Sequence, residues 1–291
     1  MNEWRLLPYQ PRRTTKEKIM KCALIYDFDG TLAEGDCAQH GLMPALGINN
    51  TEEFWGSVKK RAKDDDGDEI LSYLGLLAEK ATELNSNELS EENLTNHGKK
   101  IPLFPGVTDW FDRINEYAKK NNLDIHHYII SSGLDAMIRG TCIGEKFRDI
   151  YACKYHYSKD GKASWVAQAI NYTTKTQFLF RINKGINNSW DNAAVNKFIE
   201  PQEREIPFQR MIYLGDGDTD IPSMKMIRNQ GGFSIAVFND TTWKSQRTRE
   251  KIEKLIAEER ANYVVPAIYT EGSQLDVTVK GLLKLIKRRK A

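Results

Sequence analysis

Six short runs of β-branched and aromatic residues, each bounded by turn residues, recur along this 291-residue chain: CALIYD (22–27), HYIIS (127–131), IYACKY (150–155), MIYLGD (211–216), FSIAVF (233–238) and NYVVP (262–266). Between most of them the apolar residues fall at helical spacing. In 107–122, after Pro105 and Gly106, Val107, Trp110, Phe111, Ile114 and Tyr117 share one face. Strand and helix in alternation predict an α/β fold, a Rossmann-like parallel sheet covered on both faces. One interval breaks the rhythm. Between Thr31 and Pro105 the patterns are helical, clearest at 50–63, where Asn50 precedes Glu53 by three positions as a capping box does, and at 69–85. This predicts a helical insertion after the first strand. The expected organisation is an N-terminal extension (1–20), a core (21–36 and 106–291) and an inserted helical unit (37–105).

Composition narrows the function classes. With 42 basic and 40 acidic side chains the net charge is +2, so there is no strong field to attract nucleic acid or anionic lipid, and neither is an expected partner. The four cysteines are far apart and form no CxxC pair, which argues against a disulfide scaffold or a zinc site and for a reducing compartment. No run reaches the roughly 18 apolar residues that cross a bilayer, and residues 1–18 lack the apolar segment of a signal peptide. A cytoplasmic protein is expected. Its basic start, with Pro8 and Pro11, reads as a loosely held arm, and 282–290 reads as a last amphipathic helix. In KDDDGDE (63–69), Asp64, Asp66 and Asp68 alternate, but Glu69 and Gly75 stand where a calcium loop wants Gly and Glu, so a solvated acidic turn is expected.

In an open α/β sheet, ligands bind beyond the carboxyl ends of the strands, and four polar groups sit at such ends. They are Asp27, Asp29 and Thr31 in DFDGT; Ser131, Ser132 and Gly133 in SSG; Asp216, Asp218 and Asp220 in GDGDTD; and a lysine before the last of these. Several aspartates on one rim repel one another unless a cation neutralises them. Hard oxygen donors with no neighbouring Cys or His cluster point to magnesium. With the metal present, Asp27 can attack phosphorus, and Asp29 can protonate the leaving alcohol and then take a proton from the hydrolytic water. Ser131 and Lys184 would hold the equatorial phosphoryl oxygens. Lys184 is preferred because "NKG" could open a helix running toward AAVNKFI; Lys175, after a hydroxyl-rich turn, is the rival.

These four elements resemble the four motifs of the haloacid dehalogenase superfamily, over residues 22 to 240. The resemblance implies Asp27 as nucleophile, Asp29 as acid/base, Ser131 as the phosphate-binding hydroxyl and Lys184 as the third-motif lysine. It implies Asp27, Asp29 and Asp216 as the Mg²⁺ site, with Asp220 supporting the metal's water shell. The second aspartate marks the phosphate enzymes of the superfamily, and the insertion after the first strand resembles the type-one helical cap of phosphoserine phosphatase. The substrate would be a small phosphorylated metabolite. Asp36, nine positions after the nucleophile, stands where phosphoserine phosphatases read the substrate amine with a glutamate. Ser132 and Leu134 depart from that branch's pattern, which leaves the substrate open. A phosphotransferase with an acceptor other than water and a non-catalytic phospho-ligand-binding protein are the alternatives, and the sequence does not speak to oligomeric state.

Overall fold

The computed structural model describes residues 19–217 and 219–289. Residues 1–18 of the expected extension, Asp218 of GDGDTD and Lys290 of the last helix lie outside the described residues. Seven strands form one sheet: β1 (Met20–Tyr26), β2 (Leu123–Leu134), β3 (Asp149–Tyr157), β4 (Ala163–Gln168), β5 (Met211–Gly215), β6 (Phe233–Phe238) and β7 (Tyr263–Pro266). The spatial order is β4-β3-β2-β1-β5-β6-β7, parallel except for β4, which runs antiparallel to β3. All six expected runs are strands. β4 was not foreseen, because ASWVAQ is a half-exposed edge with Trp165 in solvent and no continuous apolar run. The first strand starts at Met20, a residue inside the expected extension.

β1 is central, and from Cys22 to Tyr26 it is continuously buried because both faces are covered. The chain moves outward from it to β2 and β3 on one side and later to β5, β6 and β7 on the other. That reversal makes the carboxyl end of β1 the switch point where ligands bind in open α/β sheets. Pairing of Tyr26 with both Ile129 and Leu214 levels the ends of β1, β2 and β5, so the loops that follow leave on one rim.

The interval after β1 contributes no strand to the sheet among the described residues. Its main helices are α1 (Thr51–Asp64), α2 (Glu69–Glu83) and α3 (Glu91–Gly98). Asn50 caps α1 by accepting from the Glu53 amide at 3.1 Å. Its entry and exit are tied together: the Glu34 amide donates to Pro102 O at 3.0 Å and the Phe104 amide to Leu32 O at 2.9 Å. α1 and α2 are joined inside by Trp55 stacked on Tyr73, centroids 5.0 Å apart, and outside by a bidentate Arg61–Glu79 pair.

The remaining named helices are α4 (Val107–Lys120), α5 (Asp135–Gly140), α6 (Lys175–Lys184), α7 (Ile221–Asn229), α8 (Gln246–Ala257) and α9 (Gln274–Arg288). α3 crosses α5 at Gly98 and Gly140, where a side chain on either would collide with the other helix's backbone. α4 buries Val107, Trp110, Phe111, Ile114 and Ala118 against the sheet. Beneath it the Trp110 indole donates to the Tyr26 hydroxyl (2.8 Å), Tyr26 meets His127 Nδ1 (3.0 Å), and His127 Nε2 meets Asn115 Oδ1 (3.0 Å). Only a neutral His127 protonated on Nε2 satisfies the whole chain. Burial holds it neutral by lowering its pKa to about 3.

Candidate active site

The first strand ends in a tight loop. Phe28 O accepts from the amides of Thr31, Leu32 and Ala33, which turns the chain sharply after Asp27 and Asp29. Gly30 has a positive φ of 68°, and its α-carbon faces the Asp216 side chain so closely that a β-carbon would stand 3.2 Å from it. Asp27 is 4% exposed. Its Oδ1 accepts from the Phe28 amide at 2.8 Å and pairs with Lys175 Nζ at 3.0 Å.

Lys175 is fully buried and also donates to Asp220 Oδ1 (2.8 Å) and Thr219 Oγ1 (3.2 Å). Burial alone would lower its pKa; Asp220 and Asp27 outweigh that and raise it, so the lysine stays charged. Asp220 receives a further hydrogen bond from the Tyr213 hydroxyl in β5 (2.6 Å), while its Oδ2 is buried without a partner. Asp216 pairs with Lys251 of α8 at 3.0 Å. One helical turn on, Leu255 of the same helix packs on Gly217, so α8 braces this loop.

Lys184, the lysine the sequence reading preferred, is not in this cluster. It is the last residue of α6, about 13 Å along the axis from Lys175 at 1.5 Å per residue, and it donates to the carbonyls of Val195 and Lys197. The physical reason is Gly185. In the left-handed conformation (φ 72°) it terminates the helix, so "NKG" closes a helix where it was expected to open one.

Asp29 is oriented differently from Asp27. Its Oδ1 accepts from the Cys37 amide at 2.8 Å and its Oδ2 faces the Cys37 thiol at 3.8 Å. Burial, then the nearby Asp36, push its pKa up to about 7, against the pull of the Cys37 amide. Asp27 is also raised, by burial first and Asp220 next, with Lys175 opposing. Asp36 caps the turn at Cys37–His40, accepting from the Ala38 amide at 2.9 Å.

The end of β2 bulges between Ile130 and Leu134. Ser131 is buried, its Oγ accepting from the Gly133 amide at 3.0 Å; a β-carbon on Gly133 would lie 3.0 Å from Asp29 Oδ2 and 3.2 Å from Ser131 Oγ. Ser132 faces the cavity with a buried hydroxyl that has no partner. Thr31 is buried, its side chain unpartnered and its carbonyl accepting from the Tyr269 hydroxyl at 2.8 Å.

The acidic groups sort into two clusters, in each of which one candidate ligand atom per residue lies within 4.8 Å of the others: Asp27, Asp216 and Asp220, and beside them Asp29 and Asp36 with the Cys37 sulfur. The first group fits a hard divalent cation, with oxygen donors only and an unpartnered buried atom in Asp220 Oδ2. The Asp29 carboxylate belongs to the second group. Above both lies a cavity of about 450 Å³, lined by Asp27, Asp29, Asp36 and Asp216 from below and by Trp55, Asp68, Glu69 and Tyr73 from α1 and α2.

The model of the Putative Phosphatase family matches residues 22–256, most of the chain and all of the acidic cluster. The chain belongs to this family. It is therefore a phosphatase, a hydrolase with the haloacid dehalogenase fold. A substrate-bound phosphoserine phosphatase has a similar structure, with a TM-score of 0.54 at 17% identity over 90% of this chain and 98% of that one. Among curated proteins, an uncharacterised protein of Borreliella burgdorferi is 29% identical, covering 87% of this chain and 93% of its own length. A phosphoethanolamine/phosphocholine phosphatase of Gallus gallus is 22% identical, covering 71% of this chain and 70% of its own.

Lys251, Asn171 and Tyr172, which also stand at this phosphatase's site, were not singled out from the sequence. Lys251 lies in a charged helical repeat, and Asn171-Tyr172 in a polar turn, so neither carries a local signal.

Proposed function

We propose that the protein is a Mg²⁺-dependent phosphomonoesterase that works through an aspartyl-phosphate on Asp27, and that its substrate carries an ammonium group on the alcohol side. The carrying observation is the division of labour among the carboxylates on one rim. Asp27, Asp216 and Asp220 converge, while Asp29 is turned onto Cys37 with a pKa near 7. Asp27, Asp216 and the Asp29 main-chain carbonyl would hold the metal, with Asp220 behind them. Bound there, Mg²⁺ would offset the repulsion between a carboxylate and a phosphate dianion.

Lys175 and the Phe28 amide both engage Asp27 Oδ1, which leaves Oδ2 to attack phosphorus. As the O–P bond to the alcohol breaks, Asp29 delivers its proton to the departing oxygen, which a carboxyl group with a pKa near 7 can do at neutral pH. The resulting Asp29 carboxylate then takes a proton from the water that attacks the aspartyl-phosphate, releasing phosphate and restoring both residues. Ser131 and Ser132 offer hydroxyls to the phosphoryl oxygens.

The ammonium reading rests on the cavity wall. Among the described residues that line it are six acids, Asp27, Asp29, Asp36, Asp68, Glu69 and Asp216, and no Lys or Arg. Asp36 lines the cavity together with the stacked Trp55–Tyr73 pair, and a cation over aromatic faces beside a carboxylate is stabilised by both. Phosphoserine would bring a carboxylate besides its phosphate, with no Lys or Arg for it among the described residues of that wall. Phosphoethanolamine and phosphocholine would not, and they are the compounds in the name of the Gallus gallus relative.

Phosphate release from p-nitrophenyl phosphate, phosphoethanolamine, phosphocholine, phosphoserine and glycerol phosphate tests both parts. The expected result is Mg²⁺-dependent turnover abolished in Asp27→Asn, with the two amino-alcohol esters at least about tenfold above the others in kcat/KM. Metal-independent turnover would overturn the mechanism, and preference for glycerol phosphate would overturn the ammonium reading.

A further inference from the structure

One side-chain hydrogen bond spans 103 residues from the inserted helices to the core at the cavity rim: Asn171 Nδ2 donates to Asp68 Oδ2 at 2.5 Å. Both ends are already committed elsewhere. Asp68 caps α2, its other oxygen accepting from the Leu71 amide at 2.8 Å. Asn171 Oδ1 gathers the loop that starts α6, accepting from the Thr173 amide (3.0 Å), the Thr173 hydroxyl (2.8 Å) and the Thr174 amide (2.8 Å). The Asn171 carbonyl accepts from the amide of Lys175 itself at 3.0 Å. The residue before, Ile170, is fully buried, with its amide on the Cys153 thiol. Asn171 is therefore a rigid joint, with Asp68 on one side and Lys175 on the other.

We propose that Asp68–Asn171 is a closure latch, and that Asn171 is a positioning residue that links the docking of α1 and α2 over the cavity to the placement of Lys175 on Asp27. When α1 and α2 dock, Asp68 takes the amide hydrogen of Asn171, which fixes the side chain whose oxygen holds the first turn of α6. Lys175 has no freedom to misplace its ammonium while that turn is held. When the helices lift, Asn171 loses its anchor and the turn loosens. The functional part of this proposal rests on the phosphatase reading of Asp27; the mechanical part does not.

Donor and acceptor can be exchanged. Asn171→Asp keeps an oxygen for the loop amides but sets a carboxylate against Asp68. Asp68→Asn keeps a capping oxygen, since Asn and Asp cap helices about equally, but sets an amide against an amide. The double variant Asp68→Asn/Asn171→Asp restores one donor and one acceptor with the pair reversed. Each single variant is expected to lose about tenfold or more in kcat with p-nitrophenyl phosphate, and the double variant to recover to within about threefold of the parent.

Hydrogen exchange measured on the same proteins, without substrate, should rise in the single variants both at 70–74 and at 175–178, and fall again in the double. Unchanged single variants, or a double variant no better than the worse single, would overturn the latch. If the parent itself released no phosphate, the phosphatase reading would fail, while the exchange pattern would still decide the mechanical link.

Discussion

Lys175 and Lys184 occupy the two ends of one helix, and what separates them is the conformation of Gly185. A glycine after the last helical residue is the commonest way to end a helix, and the hydroxyl-rich turn of Asn171–Thr174 is the kind of segment that begins one. Both signals were in the sequence, and weighing them would have placed Lys175 at the rim. Replacing Lys175 with Met is expected to cost on the order of 10² or more in kcat/KM, whereas Lys184→Met, which loses only two bonds to carbonyls, should stay within about twofold. Steady-state kinetics on the two variants checks this. Asp29 gives a second residue-scale expectation, with a definite sign. Its pKa rises from 3.8 to about 7 on folding, so the metal-free folded state loses stability as pH rises from about 4, and the full cost is present above pH 7. Asp29→Asn should therefore melt at a higher temperature than the parent at pH 8 without metal, and at about the same temperature at pH 4. An equal difference at both values would contradict the assignment.

At the scale of elements, the strands were legible because a central parallel sheet needs continuous apolar runs, and β1, β2, β5 and β6 provide them. The capped helices α1 and α2 were legible from Asn50 and from the apolar spacing. β4 was not, because an edge strand that half faces water leaves only an alternation broken by Trp165. The acidic turn at 63–69 was read as solvated, and most of it is, but Asp68 has left it to cap α2 and to reach Asn171. No local pattern encodes a contact 103 residues away. The crossing of α3 on α5 is the element-scale feature most exposed to test. Gly140 sits against the Thr95 carbonyl with no room for a methyl group, so Gly140→Ala is expected to destabilise the protein by about 1–3 kcal/mol. Urea denaturation measures that, and a neutral result would mean the two helices do not meet there.

For the whole molecule, the sheet places the carboxyl ends of β1, β2 and β5 level, and Asp27, Asp29, Asp36, Ser132, Asp216 and Asp220 arrive at or behind that rim. The direction of individual side chains was beyond the sequence. The Asp29 carboxylate turns to Cys37 because the loop there supplies an amide, and Trp55 and Tyr73 face the cavity because α1 and α2 stack there. No helix among the described residues is long and apolar enough to cross a membrane. The buried His127 ties global stability to pH. Its pKa falls from 6.5 to about 3 on folding, so stability is unaffected above pH 6.5 and is lost as pH drops toward 3, with a slope of about 1.4 kcal/mol per pH unit from this group. Unfolding free energies of His127→Gln between pH 6.5 and 4 should show a shallower acid slope than the parent, and parallel slopes would exclude a neutral His127. The central claim is chemical, that Asp27 carries the phosphoryl group, and it can be read directly. Protein turning over p-nitrophenyl phosphate with Mg²⁺ is quenched in acid and digested, and the peptide containing Asp27 is weighed. A fraction of it should be heavier by one phosphoryl group, with the mass lost on brief treatment with hydroxylamine. Turnover with no such peptide, or with the phosphoryl group on another residue, would contradict the mechanism.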